Sequence, residues 1–360
     1  MALRRNNSLL SVDFGVNSVR LLQVAGQHVK AMELPCEIFS ADPIAGTRDP
    51  GGLGADLTRV LASADFQGRR CAVTLPATCF LKDTVVLPDL DEADRAESLC
   101  WEAVDRFGVE HDEVTVGALR LRAGSGATIV GSIAPDAPAP QSPANSANSQ
   151  AGCEHLLMAL KRSTAMFALE PLLDAGLAPI RLESAALAGL RTAWTFWSRT
   201  SHEPLAFVHI EPSQATVLLA REGELLFHRE IPGVFQTMRT INASADPDAI
   251  PMEVRSPATD RRAFRWSGLA DEILQCLRYV ERRGAGQWPG GLITSGPAAG
   301  QVELIATLES ICGVPSQAAT ASGVVDPLPA TLSPCIWAAA LGAAAIDLGQ
   351  PTMLDTRRAA

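Results

Sequence analysis

Hydrophobic positions along this chain switch between recurring every second residue and every third or fourth, and that switching predicts most of its elements. From Leu9 to Val24, strand-like blocks flank the turn Gly15-Val16-Asn17-Ser18. A second turn at Ala25-Gly26-Gln27 leads into residues 28–34, which gives a three-stranded meander. A helix over 53–64 and a strand over 71–75, closed by Pro76, come next, and residues 80–87 form another strand before Pro88. Asp91 caps a predicted helix over 92–107, in which Ala96, Leu99, Cys100, Ala103, Val104 and Phe107 share one face. Strands over 114–121 and 127–133 precede residues 135–152. That stretch of Pro, Ala, Ser, Asn and Gln buries too little apolar surface to offset its ordering entropy and reads as a disordered loop. A strand over 155–160, a helix over 163–175, a strand over 179–183 and a helix begun by Ser184 complete this part.

The pattern then starts again. Residues 205–210, 216–220 and 225–231 make a second meander, with Arg221-Glu222-Gly223-Glu224 turning between its last two strands. Residues 240–265 are polar and charged and are expected to be a long loop. A helix over 268–282 turns Leu269, Ile273, Leu277 and Val280 inward, and a strand over 291–294 runs into the turn Ser295-Gly296-Pro297. Helices are predicted over 302–312 and over 334–348, the second capped by Ser333. When Ser11 to Leu22 is set above Phe207 to Leu218, strand, turn and strand coincide. Two α/β halves with mixed sheets and outer helices follow from this duplication. The first half spans 1–200 and carries a small inserted α+β subdomain at about 80–160; the second spans 201–350, and 351–360 is a tail.

Composition narrows the function. A 360-residue chain that is 47% hydrophobic can bury a large core. Its net charge of -10 argues against a phosphate-neutralising surface and hence against nucleic acid as a partner. The eight cysteines are scattered through apolar runs without a C-x-x-C pair, so they read as small buried hydrophobes, and no metal site is expected. Asp13 and Gly15 interrupt the first apolar run before a signal-peptide core forms, and the Ala-rich segment 334–348 is too short to span a bilayer. A cytoplasmic protein is expected.

Duplicated halves of this kind resemble the actin and sugar-kinase superfamily, whose halves are ribonuclease H-like. Within it, the details resemble the PilM family of type IV pilus assembly proteins, which are FtsA-related. Ser11-Val12-Asp13-Phe14-Gly15-Val16-Asn17-Ser18-Val19-Arg20 is similar to that family's opening hairpin. Trp101-Glu102-Ala103 resembles a signature in its inserted subdomain. The runs Leu169 to Pro179 and Glu224 to Pro232 are further matches. The resemblance implies a nucleotide held by the hairpin turns, with Asp13, Gly15, Asn17 and Ser18 on the phosphate side and Gly296 on the adenosine side. Asp-x-Gly is also ordinary hairpin chemistry, so these residues equally suit plain turns.

Two departures from the family pattern weaken that site. His209-Ile210-Glu211 stands where the family has Asp-Ile-Gly, and Pro297-Ala298 interrupts a glycine run. A carboxylate about 4 Å from a phosphate costs about 4 kcal/mol at an effective dielectric near 20. A degenerate site with no cofactor is therefore expected, and ATP with magnesium is the alternative. The resemblance also implies a scaffold that binds the N-terminal cytoplasmic tail of a bitopic, PilN-like inner-membrane protein, with membrane contact only through that partner and with self-association. Phe80, Leu81, Trp101 and Phe107 are the candidate lining of the partner groove, although aromatic residues at such spacings are more commonly core. Other functions of the same fold are an active ATPase, an FtsA-like division protein, a type II secretion scaffold of GspL type, and a sugar or acetate kinase, for which no catalytic acid or base stands out.

Overall fold

A computed structural model describes residues 9–25, 28–36, 39, 52–88, 90–121, 152–232, 257–283, 288–322, 324–325 and 328–345. The first half contains β1 (Leu10–Phe14), β2 (Ser18–Ala25), β3 (His28–Pro35), α1 (Leu53–Ser63), β4 (Arg70–Leu75), β5 (Phe80–Leu87), α2 (Glu92–Phe107), β6 (Val114–Arg120), β7 (Cys153–Lys161), α3 (Arg162–Asp174), β8 (Ala178–Ser184) and α4 (Ala185–Trp197). The second contains β9 (Leu205–Ile210), β10 (Gln214–Arg221), β11 (Glu224–Pro232), α5 (Pro257–Arg282), β12 (Gly291–Ser295), α6 (Val302–Cys312), β13 (Ser316–Ala318) and α7 (Ala338–Ala345).

The two halves are built alike. One sheet has the order β3-β2-β1-β4-β8 and the other β11-β10-β9-β12-β13. In each, an antiparallel meander is extended by two parallel strands. Equivalent helices occupy equivalent crossovers: α1 matches α5, α3 matches α6, and α4 matches α7. Parallel strands reached through helices are covered on both faces, which is why β4, β9 and β12 are buried almost throughout rather than alternately. The inserted subdomain is the sheet β5-β7-β6 with α2 laid against it. Its helix starts where Asp91 Oδ1 accepts the Asp94 N–H at 2.9 Å and stops at Gly108, whose φ of 61° is left-handed.

The last helix of each half crosses to the other. Leu187, Leu190 and Ala193 of α4 pack on Leu205, Phe207 and Leu218 of the second sheet. Ala340, Leu341 and Ala344 of α7 cover Leu22 and Val24 of the first. Between them the two helices touch at backbone distance: a Cβ on Gly342 would lie 1.8 Å from the Ala188 carbonyl oxygen.

Three expectations need correcting. The loop expected over 240–265 is helical from Pro257 onward; proline suits a first helical turn, and the charged residues after it masked the periodicity. The C-terminal helix starts at Ala338 rather than at 334, because residues 333–337 form turns in which Ser333 O accepts the N–H groups of Ile336 and Trp337; its expected end at 346–348 lies outside the described residues. Ala96 of α2 is exposed rather than inward. The predicted strand over 127–133, the loop over 135–151, residues 240–256 and the tail 351–360 lie outside the described residues.

Candidate functional site

Each half turns its first hairpin with the same hydrogen bond. Gly15 N–H donates to Ser18 O at 2.8 Å, and Glu211 N–H donates to Gln214 O at 2.9 Å. Asp13 and His209 are likewise equivalent. Asp13 stands beside Thr74 in the parallel pair β1–β4, and His209 beside Ser295 in β9–β12. Thr74 Oγ1 donates to Asp13 Oδ1 at 2.6 Å, while His209 Nδ1 and Ser295 Oγ are hydrogen-bonded at 2.8 Å. The duplication therefore holds to the level of side-chain contacts, although the residue types have diverged.

At the first turn the polar groups already have partners. Arg20 Nη1 meets Asp13 Oδ2 at 3.1 Å, and Arg20 Nε meets Glu33 Oε1 at 3.0 Å. The Ser18 hydroxyl also donates to Glu33 Oε1, at 2.6 Å. Asn17 is exposed. A Cβ on Gly15 would sit 3.1 Å from Arg20 Nη1, so the guanidinium leaves little room above the turn.

At the second turn Glu211 reaches across to the first half, where its Oε1 accepts the N–H of Ala77 at 2.8 Å. Ala77 opens a short 3-10 turn just after β4 and Pro76. Its carbonyl accepts Lys82 Nζ at 2.5 Å. Lys82, with 2% of its side chain exposed, also pairs with Glu230 of β11, and Gln214 Nε2 donates to the same Glu230 oxygen at 3.2 Å. Glu211, Ala77, Lys82, Glu230 and Gln214 thus close a ring of hydrogen bonds through the seam between the halves. Burial pushes the neighbouring Cys79 thiol up to about 12, and the Glu211 carboxylate adds to that effect. His209 Nε2 lies 3.5 Å from Glu211 Oε1 on its other side.

Gly296 follows β12 with a φ of 102°. A Cβ there would fall 2.1 Å from Ile210 O, so only glycine lets this turn close against the end of β9. Near the helix crossing, Arg191 is 1% exposed and makes a two-pronged contact with Glu183, Nη1 to Oε1 at 3.0 Å and Nη2 to Oε2 at 2.6 Å. Its Nη1 also donates to Gly342 O at 2.8 Å. Burial alone would raise the Glu183 carboxyl, but Arg191 and Arg181 hold it below its ordinary range.

The four residues expected to line a partner groove occupy different places. Phe80 belongs to the core of the first half. Leu81 and Phe107 pack in the core of the inserted subdomain. Trp101 alone is on the surface. Asp13, Gly15, Asn17 and Ser18 share the first turn, whereas Gly296 lies in the other half against Ile210. Sequence reading named neither Lys82 and Glu230 nor Arg191 and Glu183. The first pair is 148 residues apart, and nothing in the local pattern links its members. Among the described residues there is no cluster of potential metal ligands and no helix long and apolar enough to cross a membrane.

Two like-ordered sheets, joined by crossing helices and facing each other across a seam at the second hairpin, define an actin-like fold. No protein-family model and no curated protein matches the chain. Among solved structures, it is similar to a chain of the PilM-PilN type IV pilus biogenesis complex, with a TM-score of 0.69 and 16% identity over 95% of this chain and 98% of the other. An ethanolamine utilisation protein, EutJ, from Carboxydothermus hydrogenoformans (TM-score 0.47, 11% identity, 94% and 89% covered) is more distant. So is a protein of actin-like ATPase fold and unknown function from Bacteroides thetaiotaomicron (TM-score 0.44, 12% identity, 87% and 91% covered).

Proposed function

We propose that this chain is a PilM-like scaffold of a type IV pilus or related secretion platform. In this reading it holds the cytoplasmic N-terminal tail of a bitopic, PilN-like membrane protein, and its interdomain cleft is closed by its own side chains rather than by a nucleotide. The likeness over nearly the full length of both chains supports the scaffold part. The observation that carries the rest is the ring through Glu211 and Ala77.

In an actin-like ATPase, the two hairpin turns offer backbone N–H groups and an acidic side chain to a metal-bound triphosphate. Here the residues do not fit that group. Both Asp13 oxygens are engaged, one by Thr74 and one by Arg20, so a metal would have to displace a guanidinium. The second turn carries the Glu211 carboxylate where a phosphate would need to approach, and that carboxylate already spans the seam. The chain therefore acts through its surfaces, reaches the membrane through its partner, and is not an ATPase.

Two measurements test this. Thermal unfolding with magnesium and ATP is expected to show no shift, whereas a ligand at 100 times its dissociation constant would add about 2.7 kcal/mol. Strong stabilisation that Asp13→Ala abolishes would overturn the closed-cleft reading. Co-purification of a PilN-like protein with the full chain is expected in nucleotide-free buffer. No capture with or without ATP would overturn the scaffold reading.

A further inference from the structure

Trp101 projects from α2 with 57% of its surface exposed, while Leu99 and Ala103 on the same helix bury the opposite face. The indole rests at 5.4 Å against the His111 ring, tilted by 48°, so it is held in place yet open to solvent. Leaving it exposed forgoes apolar burial that covering by a partner would recover. Helical spacing sets Asp94, Glu97 and Asp105 on the same face as Trp101. Glu110, Asp112 and Glu113 flank His111, and all six carboxylates are exposed. None of the six forms an ion pair among the described residues. Of the cations near this face, Arg106 is committed to Glu102 and Asp83, Arg95 to the Leu90 carbonyl, and Arg162, which lies close to Cys100, donates to the Val114 carbonyl at 3.4 Å.

We propose that the Trp101 face of α2 docks an arginine-bearing segment of a protein partner; this rests on the reading of the chain as a partner-binding scaffold. The chemistry selects the occupant. An indole face attracts a cation within about 6 Å, and a guanidinium adds a flat apolar surface and forked donors that match carboxylates. Anionic lipid, nucleic acid and acidic peptides are all repelled by the same six charges. Glu97 and Asp105, one helical turn to either side of Trp101, flank the position a stacked guanidinium would take.

The test is fluorescence anisotropy of a labelled, arginine-rich peptide on the full chain, with a glutamine-substituted peptide of equal length as control. The arginine peptide is expected to bind and to weaken steeply as salt is raised, and the glutamine peptide is expected not to bind. Trp101→Ala and the charge reversal Glu97→Lys with Asp105→Lys are each expected to weaken binding tenfold or more at unchanged melting temperature, because these side chains are exposed. Equal binding of the two peptides, indifference to Trp101→Ala, or binding of anionic vesicles or RNA at the same face would overturn the inference. The two readings fail separately. If a PilN-like protein co-purifies with the chain while the arginine peptide does not bind, the scaffold reading stands and this inference falls. Trp101-dependent arginine binding without capture of that protein would do the reverse.

Discussion

Glu211 Oε1 accepts the backbone N–H of Ala77 at 2.8 Å, although 134 residues separate the two. Both are buried, so neither group can turn to water if the contact is lost. A hydrogen bond to a charged acceptor contributes about 1.5–3 kcal/mol, and an abandoned buried N–H costs a similar amount.

Glu211→Ala is therefore expected to lower unfolding stability by about 2–4 kcal/mol, read from the urea midpoint. Glu211→Gln keeps a carbonyl acceptor and removes a charge whose second oxygen, Oε2, is buried without a partner, so a loss of about 1 kcal/mol or less is expected. Equal losses in the two variants would mean that the carboxylate's charge, not its acceptor, holds the seam.

Arg191→Met leaves Glu183 buried with only Arg181, at 3.2 Å, to meet its charge. A loss of about 3 kcal/mol is expected in thermal or denaturant unfolding. Adding Glu183→Met is expected to restore part of it, because the stranded charge is removed. A double variant weaker than the single one would count against this explanation.

Gly342→Ala places a methyl group against the Ala188 carbonyl oxygen, which is backbone and cannot rotate away. The helices must part, and a cost of about 2–3 kcal/mol is expected in calorimetry. Gly117→Ala, where nothing lies within 4 Å of the new methyl, serves as the control and is expected to be neutral or slightly stabilising.

Burial, with Lys82 nearby, pushes the His228 imidazole down from 6.5 to about 3. The unfolded chain takes up this proton near pH 6.5 and the folded chain only near pH 3, so the group's contribution is intact above pH 6.5 and is lost as the pH falls. Within that window the stability should drop about 1.4 kcal/mol per pH unit more steeply in the natural protein than in His228→Gln. Parallel denaturation curves for the two proteins between pH 6.5 and 4 would refute this.

Local signals carried most of the fold. The turn at Gly15, the cap at Asp91 and the stop at Gly313 are written in single residues, and strand periodicity revealed the second meander beside the first. The equivalence of Asp13 with His209 was legible because both sit at fixed distances from a hairpin. Contacts between distant segments were not legible. Lys82 looks like any exposed strand lysine until β11 brings Glu230 against it. The start of α5 at Pro257 was hidden for a different reason, since Pro257 to Arg265 shows no sustained apolar period in the sequence. Phe80, Leu81 and Phe107 fell to the commoner fate of apolar residues, which is core.

The crossing of α4 and α7 also sets an order of events during synthesis. Leu22, Val24 and Ala72 of the first sheet, and Leu9 just before it, are covered by residues of α7. A ribosome delivers the chain from its N-terminus, so this face stays bare until residues 338–345 have emerged. The first half is therefore not a module that can be cut out at its boundary. A fragment ending after α4 is expected to expose this apolar face and to aggregate, and one supplied with residues 338–345, in trans or by circular permutation, is expected to stay soluble.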